Sequence, residues 1–276
     1  MPFQPQDLQV VFITYNRSEL LAETFQAIKA SPKLAGVKVI CSDDCSKPEH
    51  QARIRAMGFD QVITPARNGG LGSNNNRGLK ASTSKYQLMV QDDCKMVNDQ
   101  AVLDAVAVLN ADPRVGMVRL YGEPHHFPLK ERVTPEGIPY WVADHTAPGY
   151  LQLKAGQVRK RVYSDQPHVR RRELHERAVG YYIEGSPLEK TEMDYEDKLD
   201  AQSELFVAFL SPREVNHFVH LGSEASFRTS TVNQRMDRAL LGVVDGIGLR
   251  NTPFFRAGRS VYRGFQAVLE KLGVSR

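Results

Sequence analysis

The sequence predicts an α/β fold with a mainly parallel sheet flanked by helices. Two observations carry this. Over the first 120 residues, short apolar runs alternate with segments of helical periodicity, the signature of successive strand–helix–strand units with right-handed crossovers. Three polar clusters, at 14–17, 43–46 and 91–94, fall where apolar runs end, and open sheets of this kind bind ligands outside the carboxyl ends of their strands.

In chain order, Leu8–Thr14 reads as a strand, Ser18–Ala30 as a helix and Val37–Ser42 as a strand. Glu49–Met57 is helical, Gln61–Thr64 extended, Leu71–Ala81 helical, Tyr86–Gln91 a strand and Asp99–Leu109 a helix, and Val115–Leu120 closes the series. Residues 1–120 thus form one half of a domain. Residues 121–230 form a second half of the same domain, opening with prolines at 124, 128, 135, 139, 148 and 167 around His125 and His126, in loops and short strands suited to shaping a substrate site. Apolar stretches return at Val179–Ile183 and Leu205–Leu210, and 231–276 reads as a helical extension.

The 276 residues are 41% apolar and 25% charged, an ordinary soluble composition. No apolar run approaches the roughly 20 residues that span a bilayer. The opening residues lack a basic stretch followed by a long apolar one, so a cytoplasmic protein without a secretory signal is expected. Three cysteines point to a reducing compartment without a disulfide framework. Cys41 and Cys45 have no second pair to complete a zinc site and read as small core or loop residues. A net charge of +4 suits an anionic ligand such as a nucleoside diphosphate and does not require nucleic acid.

Asp92-Asp93 at a strand end is the sharpest feature. Adjacent carboxylates repel unless a cation neutralises them, and magnesium or manganese is bound by one or two carboxylates together with substrate phosphates. Asp43-Asp44 ends the second strand in the same way and suits a base N–H or ribose hydroxyl, although Asp-Asp-x-Ser is also good turn chemistry. Arg67 to Gly78 is rich in Gly and Asn and leads into a helix, where backbone approaches closely and the helix N-terminus favours anions. It matches neither a phosphate-binding Walker loop nor the dinucleotide Gly-x-Gly-x-x-Gly spacing.

Together these pieces resemble family 2 glycosyltransferases. Val11-Phe12-Ile13-Thr14-Tyr15-Asn16-Arg17 resembles that family's first strand, and Asp43-Asp44-Cys45-Ser46 its nucleoside-holding Asp-Asp-x-Ser segment. Asn68-x-Gly70 with Asn76-x-Gly78 resembles its paired Asn-x-Gly signature, and Gln91-Asp92-Asp93 its metal-binding Asp-x-Asp strand, with Gln91 where the family often has an acid. The resemblance implies the Rossmann-like GT-A fold with a C-terminal acceptor-binding elaboration. It implies a nucleotide-diphosphate sugar donor held by Thr14, Asn16, Arg17, Asp43, Asp44, Arg67, Asn68, Gly70, Asn76 and Asp92. It also implies a Mn2+ or Mg2+ ion on Asp93, with Asp92 on the donor ribose or a metal-bound water. His220 resembles a late metal-completing histidine, with His217 as the alternative, and an imidazole ligand suits manganese better than magnesium.

For the catalytic acid residue two registers stand open. Thr191-Glu192-Met193-Asp194-Tyr195-Glu196-Asp197-Lys198 resembles the family's Glu-Asp segment with Glu192 as general base, Asp194 beside it and Lys198 in place of an arginine. The other register takes Glu196-Asp197 as the pair. In-line attack would invert the anomeric centre, and retention stays open.

The resemblance implies a saccharide or envelope-glycan acceptor. DNA is the alternative, as for phage enzymes acting on hydroxymethylated bases. Lys154, Arg159-Lys160-Arg161 and Arg170-Arg171-Arg172, interleaved with Tyr150, Tyr163 and His168, form a basic stretch of the kind that tracks phosphates. A non-catalytic binding module is a further reading, supported by Gln91. Arg256–Leu272 is amphipathic, with Val261, Phe265, Val268, Leu269 and Leu272 on one side, suited to packing on the domain or to peripheral membrane contact.

Overall fold

The computed structural model describes residues 3–120, 127–148, 162–202, 204–211 and 217–221. The described residues all fall within one compact unit, Met1–Gly222. The expected helical extension 231–276, His125-His126, Tyr150, Lys154 and Arg159-Lys160-Arg161 lie outside the described residues.

The strands are β1 (Leu8–Thr14), β2 (Lys38–Asp43), β3 (Gln61–Ile63), β4 (Tyr86–Gln91), β5 (Cys94–Met96), β6 (Val115–Arg119), β7 (Leu129–Val133), β8 (Pro139–Ala143), β9 (His168–Arg171), β10 (Phe206–Phe209) and β11 (Phe218–His220). The helices are α1 (Ser18–Lys29), α2 (Pro48–Ala56), α3 (Gly70–Ala81), α4 (Gln100–Ala111) and α5 (Leu188–Ala201). A nine-stranded sheet runs β3-β2-β1-β4-β9-β6-β10-β8-β7, and β5 pairs with β11 in a separate ribbon. Among the described residues, only β8 and β9 of the nine run against the rest, so the sheet is mostly parallel as expected. No described helix is long and apolar enough to cross a membrane.

β1 is buried at every position, as a central strand covered on both faces must be. Leu8, Val10 and Phe12 point into one core with Leu21, Phe25 and Ile28 of α1 and Val102, Ala105 and Leu109 of α4. Val11 and Ile13 point into the other, with Leu79 of α3 and Tyr195 and Leu199 of α5. The spacing of Leu21, Phe25 and Ile28 gives α1 its single apolar face. On α3, Gly78 permits the close approach to β1, because a Cβ there would stand 2.5 Å from Val11 Cγ1. Gly78→Ala is therefore expected to cost about 1–3 kcal/mol through overpacking, read as a lowered urea midpoint at unchanged m-value.

β9 was not anticipated. It enters antiparallel between β4 and β6, which therefore do not pair. Its Arg170 and Arg171 correct the reading of this stretch as a basic surface. Arg171 is buried and donates to the carbonyls of Leu109, Asp112 and Val115, closing the C-terminal end of α4, where a cation is favoured. Arg170 is fully buried, donates to the Tyr195 hydroxyl and lies 5.4 Å from that ring's centroid. His168 and Tyr163 are buried too. Arg172 is partly exposed and pairs with Glu176 at 3.3 Å. The apolar stretch Val179–Ile183 forms neither helix nor strand.

Candidate functional site

The site is built at the carboxyl ends of β1, β2 and β4. Asp92 and Asp93 follow β4 directly, and both are almost fully buried. Asp92 Oδ2 accepts from Thr14 Oγ1 at 2.8 Å and from the Tyr15 amide at 3.4 Å. Thr24 of α1 donates to the Asp92 carbonyl at 3.1 Å, fixing the turn from beneath. Arg17 reaches Asp93 Oδ2 at 2.6 Å and Asp92 Oδ1 at 3.6 Å. Its side chain is 53% exposed whereas that of Asp93 is 5% exposed, so an exposed guanidinium lies over a buried carboxylate pair. Burial, with the charge of Asp93 added to it, pushes the Asp92 carboxyl up to about 6. Thr14 and Arg17 act in the opposite sense.

The ribbon of β5 and β11 completes the pair from another side. His220 stands opposite Cys94 in its register, and the Leu221 amide donates to the Asp93 carbonyl at 2.6 Å. This brings His220 Nε2 to 3.7 Å from Asp93 Oδ1. Asp93, Cys94 and His220 offer ligand atoms all within 4.8 Å of one another, a carboxylate, a sulfur and an imidazole that fit a divalent cation. His217, the alternative, instead meets Asn98 at 3.1 Å, and burial lowers its pKa.

The remaining expected donor residues form two further clusters. Asn16 has a left-handed backbone (φ 56°). Its amide donates to Ser46 Oγ at 2.7 Å, and its side chain accepts from the Lys47 amide at 2.8 Å. Asp43 is buried and closes the same turn by accepting from the Ser46 amide and hydroxyl. Asp44 accepts from the Gly69 amide at 3.0 Å, the Gly70 amide at 2.8 Å and the Arg77 guanidinium. Its carbonyl accepts from Asn68 Nδ2 at 3.1 Å. Asp44 therefore holds the start of α3 in place, and Gly70 provides the positive φ of 79° needed there. Arg67 is exposed at the mouth of this loop. Asn76 faces elsewhere. It exchanges hydrogen bonds with the Tyr182 backbone at 2.8 and 3.0 Å and donates to Glu184, tying α3 to the segment before α5.

The acids of α5 separate clearly. Glu192 Oε1 accepts from Ser164 Oγ at 3.1 Å and the Asp165 amide at 2.7 Å. Two residues on, Gln166 Oε1 accepts from Cys94 Sγ at 3.4 Å, so this short segment links Glu192 to the wall of the aspartate site. Asp194 accepts from Ser186 at 2.6 Å. Glu196 is buried and accepts from the Val162 amide at 2.9 Å, and Asp197 is exposed. Lys198 donates to the Tyr181 carbonyl at 2.6 Å.

Asp165, Gln166 and Cys94 were given no role from sequence. Asp165 lies in a polar core with Tyr163, Tyr182, Tyr195 and Arg170. Burial pushes its carboxyl up to about 7, Tyr163 lowers it and Glu192 raises it. A folded value above the ordinary 3.8 means that the native state keeps a proton the unfolded chain releases. The stability linked to that proton is full below pH 3.8 and is lost as pH rises to about 7. Asp165→Asn should flatten this slope, read as urea midpoints across that pH range.

The family model for glycosyl transferase family 2 matches residues 9–177. No curated protein matches the sequence. Among solved structures, residues 1–349 of TarS from S. aureus are 17% identical with a TM-score of 0.52, covering 80% of this chain and 62% of that one. The mannosyltransferase PcManGT from Pyrobaculum calidifontis, solved with GDP-Man and Mn2+, is 17% identical with a TM-score of 0.50, covering 87% of this chain and 66% of that one. The chain thus spans under two thirds of either, and both share its fold.

Proposed function

Because the chain belongs to glycosyl transferase family 2, we propose that it moves a sugar from a nucleotide-diphosphate sugar to an acceptor hydroxyl in a cation-dependent, inverting reaction. The observation that carries this is the buried Asp92-Asp93 pair at the end of β4, met by Thr14 and Arg17 from one side and His220 from another. Asp93 and His220 would hold Mn2+ or Mg2+, which when bound neutralises charge on the departing nucleoside diphosphate. The complex of PcManGT with GDP-Man and Mn2+ supports both the donor class and the ion.

The chain's own residues do the rest. Asp92, fixed through Oδ2 by Thr14 and Tyr15, offers Oδ1, which Arg17 approaches at 3.6 Å, to the donor ribose or to a bound water. Arg17, which lies over the Asp92-Asp93 pair, and Arg67, near the α3 N-terminus, would supply positive charge to the diphosphate. Asn16, Asp43, Asp44, Asn68 and Gly70 hold the loops that enclose the nucleoside. Glu192 takes the proton of the attacking hydroxyl, since its two hydrogen bonds both fall on Oε1.

A saccharide acceptor fits better than DNA, because Arg170 and Arg171 lie in the interior. The test is a thermal shift with nucleoside diphosphates in the presence and absence of manganese. A ligand held only by the native state raises the melting point, here in a manganese-dependent way. No shift with any nucleoside diphosphate would overturn the reading.

A further inference from the structure

We propose that Cys94 is a sulfur ligand of the same cation site, so that the site prefers thiophilic divalent ions such as Cd2+, Zn2+ and Co2+ to Mg2+. This deepens the cation site proposed above and rests on it.

The topology makes the case first. In the antiparallel ribbon Cys94 and His220 are direct partners, and directly opposed side chains leave a ribbon on the same face. Asp93 is the preceding residue, clamped by the Leu221 amide on its carbonyl. Three different donor types are thereby forced together by one short ribbon.

The distances agree. Cys94 Sγ stands 3.7 Å from Asp93 Oδ1, and His220 Nε2 also stands 3.7 Å from that oxygen. Ligands about 2.0–2.3 Å from a shared ion stand roughly 3–4 Å apart, so a small inward movement suffices. Although Cys94 is fully buried, its sulfur faces the Asp93 carboxylate and the Gln166 amide oxygen, at 3.4 Å from the latter. The rest of the side chain packs in the apolar core, so the sulfur alone meets polar atoms.

The chemistry gives selectivity. Thiolate ligands favour soft and borderline ions, whereas carboxylate and water favour magnesium. Binding exchanges the thiol proton for the cation. A sulfur–metal bond forms, the S–H bond breaks, the proton passes to solvent, and no electron changes hands. Gln166 then orients the sulfur as an outer-sphere partner.

The experiment titrates the metal-stripped full chain with Cd2+, without nucleotide or turnover, and records the ultraviolet thiolate-to-cadmium charge-transfer band. Calorimetry of Cd2+, Mn2+ and Mg2+ accompanies it. The wild type should develop the band at one equivalent. Cys94→Ser, which keeps Cys41 and Cys45, should lose it, with Cd2+ affinity falling at least about tenfold and Mg2+ affinity changing less than about threefold. Should Cys94→Ser fail to fold, the Cys41→Ser/Cys45→Ser double variant, whose one remaining cysteine is Cys94, should still show the band. A band that survives in folded Cys94→Ser, or is missing from the double variant while Mn2+ binds, overturns the sulfur ligand and leaves the cation site standing. Failure of every ion to bind the wild type overturns both.

Discussion

Asp93→Ala is expected to lower sugar transfer by on the order of 10³-fold while the protein still folds. The loss follows from position. Asp93 is the acid that His220 and Cys94 both approach, so its removal takes away the carboxylate on which the other two candidate ligands converge. The fold survives because the turn is held by its backbone and by Asp92, through Thr14, Thr24 and the Leu221 amide. The charge of Asp93 is also the second cause of the raised Asp92 pKa, so that carboxyl should titrate lower in the variant, with burial still acting on it. Radiolabelled transfer and the manganese-dependent thermal shift measure the two consequences. Wild-type transfer in the variant would refute the assignment.

Glu192→Gln is expected to lower turnover by about 10²–10⁴-fold with little change in stability. The amide oxygen keeps the bonds from Ser164 and the Asp165 amide, and only the capacity to take a proton is lost. Glu192→Ala should in addition cost about 1–3 kcal/mol, because the Asp165 amide and Ser164 hydroxyl lose their acceptor. Comparing the two variants separates chemistry from scaffolding. Full activity in Glu192→Gln would return attention to the other register. Its Glu196 is buried on the Val162 amide and its Asp197 is exposed, neither arrangement resembling a poised base.

The first 120 residues were legible because local pattern dictates their structure. β1 is apolar on both faces, β4 is largely so, and α1 has one apolar stripe, so the observed ends of β1 and β4 coincide with those expected. The polar clusters at strand ends were legible for the same reason. Pairing between distant segments was not. Arg170 and Arg171 look like surface charges until the Tyr195 hydroxyl and the carbonyl end of α4 are available to receive them. Asn76 has the look of a loop ligand, but only the fold shows Tyr182 waiting to exchange hydrogen bonds with it. Cys94 acquires meaning from a register with His220, more than a hundred residues away, that no spacing announces.

The placement of β9 bears on how the chain reaches its native state during synthesis. β1, β2, β3 and β4 lie within the first 91 residues and pair with one another as soon as they emerge. Growth of the sheet then halts, because the partner that β4 and β6 share begins only at His168. Until it arrives, the nascent domain carries an unprotected hydrogen-bonding rim on β4, the kind of edge that invites intermolecular pairing. Docking that late strand between two earlier ones joins segments far apart along the chain, a slow step of high contact order. A ribosome-stalled chain ending before residue 168 should therefore be the one that chaperones retain, and release should coincide with the emergence of β9.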